Sequence, residues 1–370
     1  MGAEADDLVV ADESGTHRSF SEAFVANRRA FQADPSDASL AFRAGINAER
    51  AHNYMGAALA YEEALAVPGA PPKYWYFLGR AREQLNDPYR AGSAYRKYAN
   101  LAARKGRPYF QHDGGLLHYE KALRFGAGAY PAYGHVVLHA ALLAAKLGHP
   151  KIRVAELGVA NGRGLIALEK HARAAKELTG VDVAVFGFDT GEGLPPSENP
   201  RDIPYYFASG DYGMDEDALR ERMTTAQLIL GDAADTFGEW AAADASPVGA
   251  ILFDMDLYTS TAAVLRLMGD VLDDSQILPR VAMYFDDLVP KKDTERLKDY
   301  TEFAGESLAI NEFNAANSDI KIGRDTFFSS IPDGQPWHEC MFMMHRFNHP
   351  QYKGPVREPQ PAVRQLSPNR

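Results

Sequence analysis

Cysteine is almost missing from this chain. Cys340 stands alone among 370 residues, so no internal disulfide can form and a reducing, cytoplasmic setting is expected. A lone buried thiol is the plain reading of Cys340, and it receives no role. Positive charge is also in short supply: 39 Lys and Arg face 50 Asp and Glu, a net charge of −11. Such a balance argues against a nucleic-acid partner, which needs a basic face. Arg104-Lys105-Gly106-Arg107 and Lys291-Lys292 are small basic clusters that read as solvated surface. Long apolar runs are lacking too. The most apolar segment, Tyr133 to Leu147, is short and broken by His135, His139 and Lys146, so it reads as a buried helix and not a membrane span. The first residues carry Glu4, Asp6, Asp7, Asp12 and Glu13, where a secretory signal would start basic. A soluble protein without a membrane partner is expected.

What is present is apolar content of 46%, sufficient for an α/β core and a second, smaller unit. Residues 36–101 match themselves at an offset of 34: Ala41, Ala44, Gly45, Ala57 and Tyr61 return as Trp75, Leu78, Gly79, Ala91 and Tyr95. Small residues would let two helices approach while aromatic knobs fill the gap. The period, with W-x2-L-G and A-x3-Y, resembles the tetratricopeptide repeat. Arg82 stands where that pattern wants tyrosine, a half-copy (Ala23, Ala30, Pro35) precedes, and the frame fails after about residue 105. So few repeats seldom stand alone. The unit is expected to pack on the rest of the chain or on a second copy in a homo-oligomer; a groove for a protein partner is the functional alternative.

From residue 151 short apolar runs alternate with helical patterns. Ile152–Leu157, Val183–Phe188, Gln227–Leu230, Ala250–Phe253 and Val281–Phe285 read as strands, with helices at Gly162–Leu178, Ala233–Ala243 and Ser260–Leu272. That alternation means βαβ units, a parallel sheet and ligands at the carboxyl ends of its strands. The expected organisation is an acidic segment with a half-repeat over 1–35, helical repeats over 36–110, connecting helices over 111–150, the α/β domain over 151–350, and a flexible, proline-rich tail over 351–370.

The first strand runs into Val-Ala-Glu-Leu-Gly-Val-Ala-Asn-Gly-Arg-Gly, which sets Gly158, Gly162 and Gly164 in a G-x-x-x-G-x-G array two residues after Glu156. Missing side chains let backbone approach a ligand, and glycine accepts the positive φ of a tight turn. Nicotinamide dehydrogenases use glycine loops as well. Those with this spacing also need a Tyr-x-x-x-Lys pair, and none of the 18 tyrosines has lysine four residues later. The E-x-G-x-x-x-G-x-G array resembles motif I of class I S-adenosylmethionine-dependent methyltransferases. That resemblance implies a Rossmann-like fold, a mostly parallel seven-stranded sheet flanked by helices. It also implies S-adenosyl-L-methionine as cofactor, with Glu156, Gly158, Gly162, Gly164, Asp189 and Asp232 binding it. Asp189 ends the second strand, where a carboxylate can accept two ribose hydroxyls; Asp232 ends the third, beside the adenine edge. Taken singly, Asp189 reads equally as a turn residue and Asp232 as a helix N-cap.

Phe253-Asp254-Met255-Asp256-Leu257-Tyr258-Thr259-Ser260-Thr261 ends the fourth strand and Asp286-Asp287 the fifth. Adjacent strands lie about 4.8 Å apart, so these acids converge and repel unless something positive sits among them. A hard divalent cation such as Mg²⁺ answers that need, with surface solvation of the acids as the alternative. A bound cation lowers the pKa of an aliphatic hydroxyl, and Asp254 is a candidate to accept its proton. The D-x-D-x-Y-x-S-T array followed by Asp-Asp, with Phe-Asp-Thr-Gly-Glu-Gly-Leu-Pro at 188–195, resembles the macrocin O-methyltransferase (TylF-like) family over roughly residues 150–350. The resemblance implies metal-dependent methylation of a sugar hydroxyl on a small-molecule or glycan acceptor, with Asp254, Asp286 and Asp287 as metal ligands. Thr259 departs from it by standing where an acid is expected.

Between Asp189 and Gln227 an insertion carries Tyr205, Tyr206, Phe207 and Tyr212, suited to a lid or to an ordinary loop with tucked aromatics. The run Trp337–Phe347 reads as a closing strand, and His338, His345 and His349 as structural histidines. The function expected is a Mg²⁺-dependent O-methyltransferase. The alternatives are a repeat-type adaptor whose α/β domain binds the cofactor without turnover, and a nicotinamide oxidoreductase.

Overall fold

The computed structural model describes residues 17–104, 115–124, 126, 129–270, 272–290, 293–329 and 335–356. The acidic segment before residue 17, the clusters Lys105-Gly106-Arg107 and Lys291-Lys292, and most of the expected tail lie outside them. Contacts divide the chain into two units, one through Pro131 and one from Ala132 onward.

The first unit holds helices α1 (His17–Ala33), α2 (Ala38–Arg50), α3 (Tyr54–Ala66), α4 (Lys73–Gln84), α5 (Pro88–Arg104) and α6 (Gly115–Arg124). The 34-residue match has a physical counterpart here. A Cβ on Gly45 would fall 2.2 Å from the Tyr61 ring, and one on Gly79 would fall 2.7 Å from the Tyr95 ring. Each tyrosine therefore fills a notch that only glycine leaves open. The Tyr61 hydroxyl donates to Glu49 at 3.1 Å and the Tyr95 hydroxyl to Glu83 at 2.7 Å, a pairing that repeats at the same offset. Asn53 caps α3 and Asp87 caps α5 in the same way, each accepting from a backbone N–H three residues on. Arg82, at the position where an aromatic is wanted, is buried and ion-paired with Glu62 and Asp87.

The second unit begins with α7 (Pro131–Leu147), which the sequence assigns to a connecting region but which belongs with the sheet. It continues through β1 (Lys151–Leu157), α8 (Arg163–Thr179), β2 (Asp182–Asp189), α9 (Glu216–Arg222), β3 (Gln227–Leu230), α10 (Ala233–Ala243), β4 (Val248–Phe253), α11 (Tyr258–Asp270), β5 (Ile277–Phe285), α12 (Gly305–Ala316), β6 (Ile320–Arg324), α13 (Thr326–Ser329) and β7 (Met341–Arg346). The sheet order is β3-β2-β1-β4-β5-β7-β6. Strands β3, β2, β1, β4 and β5 pair in parallel; β7 pairs antiparallel with both β5 and β6. This is the mostly parallel seven-stranded sheet of the Rossmann-like class I methyltransferase fold. A dinucleotide-binding sheet would place a parallel strand beside β5. Strand β4 is buried at every residue, as a central parallel strand covered on both faces must be. Only part of Trp337–Phe347 is strand: Pro336–Cys340 forms a 3-10 turn, with Trp337 and His338 packed on Phe328, before β7 starts. Among the described residues no helix is long and apolar enough to cross a membrane.

One charge lies inside this core. Arg153 in β1 is fully buried and donates to the carbonyls of Trp240 (2.6 Å), Ala241 (2.9 Å) and Ser246 (2.7 Å), with its guanidinium 4.7 Å from the Trp240 ring. It satisfies carbonyls near the end of α10 that have no helical partner. Replacing Arg153 with Met should strip the guanidinium from those acceptors, leaving the Ala241 carbonyl its 3.3 Å bond from Gln276, and destabilise the second unit by about 3 kcal/mol. Urea unfolding followed by tryptophan fluorescence would show it as a lower midpoint; an unchanged midpoint would refute the role.

Candidate active site

Short backbone links between neighbouring strand ends assemble the site. The Gly158 N–H donates to Phe188 O at 2.8 Å, the Asp254 N–H to Leu157 O at 2.8 Å, the Asp286 N–H to Phe253 O at 2.9 Å and the Gly231 N–H to Asp189 O at 2.9 Å. The carboxyl ends of β3, β2, β1, β4 and β5 therefore line up along one sheet edge. A cavity of about 320 Å³ opens there, within the range of small-molecule sites. Gly158, Asp189, Asp232, Asp254, Asp286 and Asp287 all contribute to its wall.

The glycine loop works differently from the expectation that bare backbone faces the ligand. Gly158 has φ +87° and a Cβ there would meet the Asp254 carbonyl oxygen at 1.9 Å, so it lets β1 and β4 close up at their ends. At Gly162, φ +74°, the vacant place is taken by Leu219 of α9, and at Gly164 by the Glu156 carboxylate. Gly162, Gly164 and Glu156 are not among the residues that line the cavity. Glu156 is buried, accepting a 2.8 Å bond from the Tyr133 hydroxyl while its Oε2 has no partner. Burial, with Asp286 and Asp189 nearby, pushes its carboxyl up to about 8 against the lowering bond from Tyr133.

Asp189 organises the loop. Its Oδ2 accepts from the Val159 and Ala160 N–H groups at 2.8 and 2.9 Å, and its Oδ1 from Gly191 N–H at 2.7 Å. A carboxylate has about four acceptor positions, so a ligand hydroxyl could still be received. Asp232 caps α10 through Ala234 N–H at 2.8 Å, and it lines the cavity as well.

The acids of β4 and β5 meet. One oxygen each from Asp254, Asp286 and Asp287 lies within 4.8 Å of the others, the one such group found among the described residues. Mg²⁺ takes hard oxygen ligands, and three carboxylates gathered this closely could supply them. Burial, then Asp286, Asp256 and Asp287, raises the Asp254 carboxyl well above the usual carboxylate range. Asp256 is raised as well, by burial and by Asp287, and holds a left-handed φ of 62°. The crowding predicted from sequence is thus real, and positive charge would relieve it. Three participants carry no sequence motif. Lys298 places its Nζ 2.5 Å from Asp287 Oδ1. Tyr284 donates to Asp286 at 2.7 Å. Glu306 accepts from the Asp287 N–H at 3.0 Å.

Asp202 explains the departure at Thr259. This fully buried carboxylate, on the 3-10 turn Pro200–Asp202, accepts from Thr259 N–H (2.7 Å) and Thr259 Oγ1 (2.6 Å), and also bonds Ser197. The acid missing before Ser260 reaches the start of α11 from the insertion instead. Phe207 and Ile203 tuck against Leu257, whereas Tyr205 is 65% exposed and Tyr212 lines the cavity, so the aromatics divide between loop packing and site. His345 bonds the Tyr352 hydroxyl at 2.7 Å, His349 bonds the Asp274 carbonyl at 2.8 Å, and buried His338 accepts from Gln335 N–H. All three histidines lie in structural contacts.

Two outcomes follow. Asp202→Ala should free the insertion from α11 and speed chymotryptic cleavage after exposed Tyr205 roughly tenfold, the effect of about 1.4 kcal/mol of lost latch; unchanged cleavage would contradict the latch. Glu156 has a folded pKa above its unfolded value of 4.5, so the native state holds a proton that the unfolded chain lacks up to about pH 8. Stability should therefore fall as pH rises through that window, and Glu156→Gln should flatten the decline. Urea midpoints measured from pH 5 to 8 check this, and parallel profiles would refute it.

No protein-family model matches the chain, and no curated protein matches it by sequence. Several solved structures resemble it. A calicheamicin methyltransferase is 21% identical, over 56% of this chain and 77% of that one, with a TM-score of 0.38. An apo structure described as a TDP-rhamnose 3'-O-methyltransferase of calicheamicin biosynthesis is 17% identical, over 67% and 94%, with a TM-score of 0.34. A putative class I S-adenosylmethionine-dependent methyltransferase from Listeria monocytogenes is 14% identical, over 90% and 88%, with a TM-score of 0.29.

Proposed function

We propose that the chain is an S-adenosyl-L-methionine- and Mg²⁺-dependent O-methyltransferase acting on a hydroxyl of a sugar- or polyol-containing acceptor. The observation that carries this reading is the shared cavity: Gly158, Asp189 and Asp232 stand on the wall that also bears Asp254, Asp286 and Asp287. Bound there, S-adenosyl-L-methionine would supply an electrophilic methyl group and Mg²⁺ would lower the pKa of an alcohol.

This chain's residues do the rest. Asp189 is the residue to receive ribose hydroxyls, and its bonds to the Val159 and Ala160 N–H groups fix it for that purpose. Asp232 borders the adenine side. Glu156, Gly162 and Gly164 act from behind the wall, setting the path of the loop. Asp254, Asp286 and Asp287 would hold the cation, and Asp254 is the group placed to take the acceptor's proton. Asp256 shares this nest. Tyr212 and the insertion that Asp202 ties down would exclude water. The helical unit, with its tetratricopeptide-like period, serves as a scaffold. The protein works in the cytoplasm.

Calorimetry should show S-adenosyl-L-methionine binding, weakened at least tenfold by Asp189→Ala; absence of binding to the native chain would end the proposal. Methyl transfer to a panel of glycosides and polyols should be abolished by chelation and reduced on the order of 100-fold by Asp286→Asn. Turnover indifferent to both would remove the metal and leave the methyltransferase.

A further inference from the structure

Lys298 is the one cationic side chain among the described residues lining the cavity. It ends the 3-10 segment Asp293–Lys298 and is only 4% exposed. A buried ammonium is costly unless it is paired and surrounded. Here Asp287 Oδ1 lies 2.5 Å from Nζ, and the rings of Phe207, Tyr206 and Tyr300 stand 4.5, 5.0 and 5.4 Å from it. One amine thus joins the end of β5 to two aromatics of the insertion.

Asp287 is also one of the three acids spaced for a metal. A carboxylate has about four acceptor positions, so Asp287 can keep the ammonium and still offer an oxygen to Mg²⁺, but two cations a few ångströms apart repel. We propose that Lys298 is the resident counter-ion of this carboxylate nest, and that its charge opposes a divalent cation at Asp287. Lys298 is then a positioning residue that sets metal affinity. This inference rests on the metal-dependent reading above.

Mn²⁺ binding to the full-length chain, counted by electron paramagnetic resonance of the free ion, tests it without turnover. Lys298→Met keeps the apolar stem and removes the charge, and should bind Mn²⁺ at least tenfold more tightly than the native chain. Lys298→Arg should bind like the native chain, and Asp287→Asn should abolish tight binding in both backgrounds. Equal or weaker binding by Lys298→Met overturns the proposal while leaving the metal site standing. If neither the native chain nor Lys298→Met binds Mn²⁺, the metal reading itself fails and the proposal with it.

Discussion

Carboxylates cannot crowd together without a cation or a shared proton, and this constraint organises the second unit. Register between β4 and β5 sets Phe253 beside Phe285, so the acids after each strand emerge side by side. The aromatic pair is stacked with centroids 4.6 Å apart, a rigid floor under the charges. Negative charge accumulates above it, raising the Asp254 and Asp256 carboxyls, and the protein answers with Lys298 and with the Tyr284 hydroxyl. Each of these is a partial solution. A divalent ion would be a fuller one, and that incompleteness is what makes the edge a place for chemistry.

The cofactor side depends on the same alignment. Gly158 allows the end of β1 to touch the Asp254 carbonyl, which brings the glycine loop against the acid nest. Asp189 then holds the loop through two N–H groups of Val159 and Ala160. Were Gly158 any larger, β1 and β4 would part at their tips, and the two halves of the cavity would separate. In the proposed reaction a methyl donor and a cation-bound oxygen would have to be neighbours for in-line attack, which this backbone contact would serve.

Much of this could be read in the residues, because the signals are local. Continuous apolar runs ending in glycine or aspartate mark β1, β2, β4 and β5, and Tyr61 and Tyr95 at an offset of 34 mark the helical notches. What escaped depends on long-range placement. Lys298 lies in a segment without motif, and its partner Asp287 is brought to it by the fold. Asp202 is remote in sequence from Thr259, though the missing acid at that position was a clue that another carboxylate had to arrive. The glycines were identified, yet Gly162 and Gly164 turned out to make room for Leu219 and Glu156, since a vacant Cβ does not announce what fills it. Strand β6 has mixed burial and little pattern, so its existence rests on pairing with β7. Helix α7 carries Tyr133 to Glu156, a link that no periodicity encodes.

The central claim is that cofactor and cation sites are adjacent parts of one cavity. A crystal grown with S-adenosylhomocysteine and Mn²⁺ tests it directly through the anomalous signal of the metal. The account predicts a single strong peak about 2.2 Å from oxygens of Asp254, Asp286 and Asp287, with the ligand's ribose against Asp189 and its sulfur facing the metal. A peak away from these carboxylates, or a ligand bound elsewhere than beside Gly158, would contradict it.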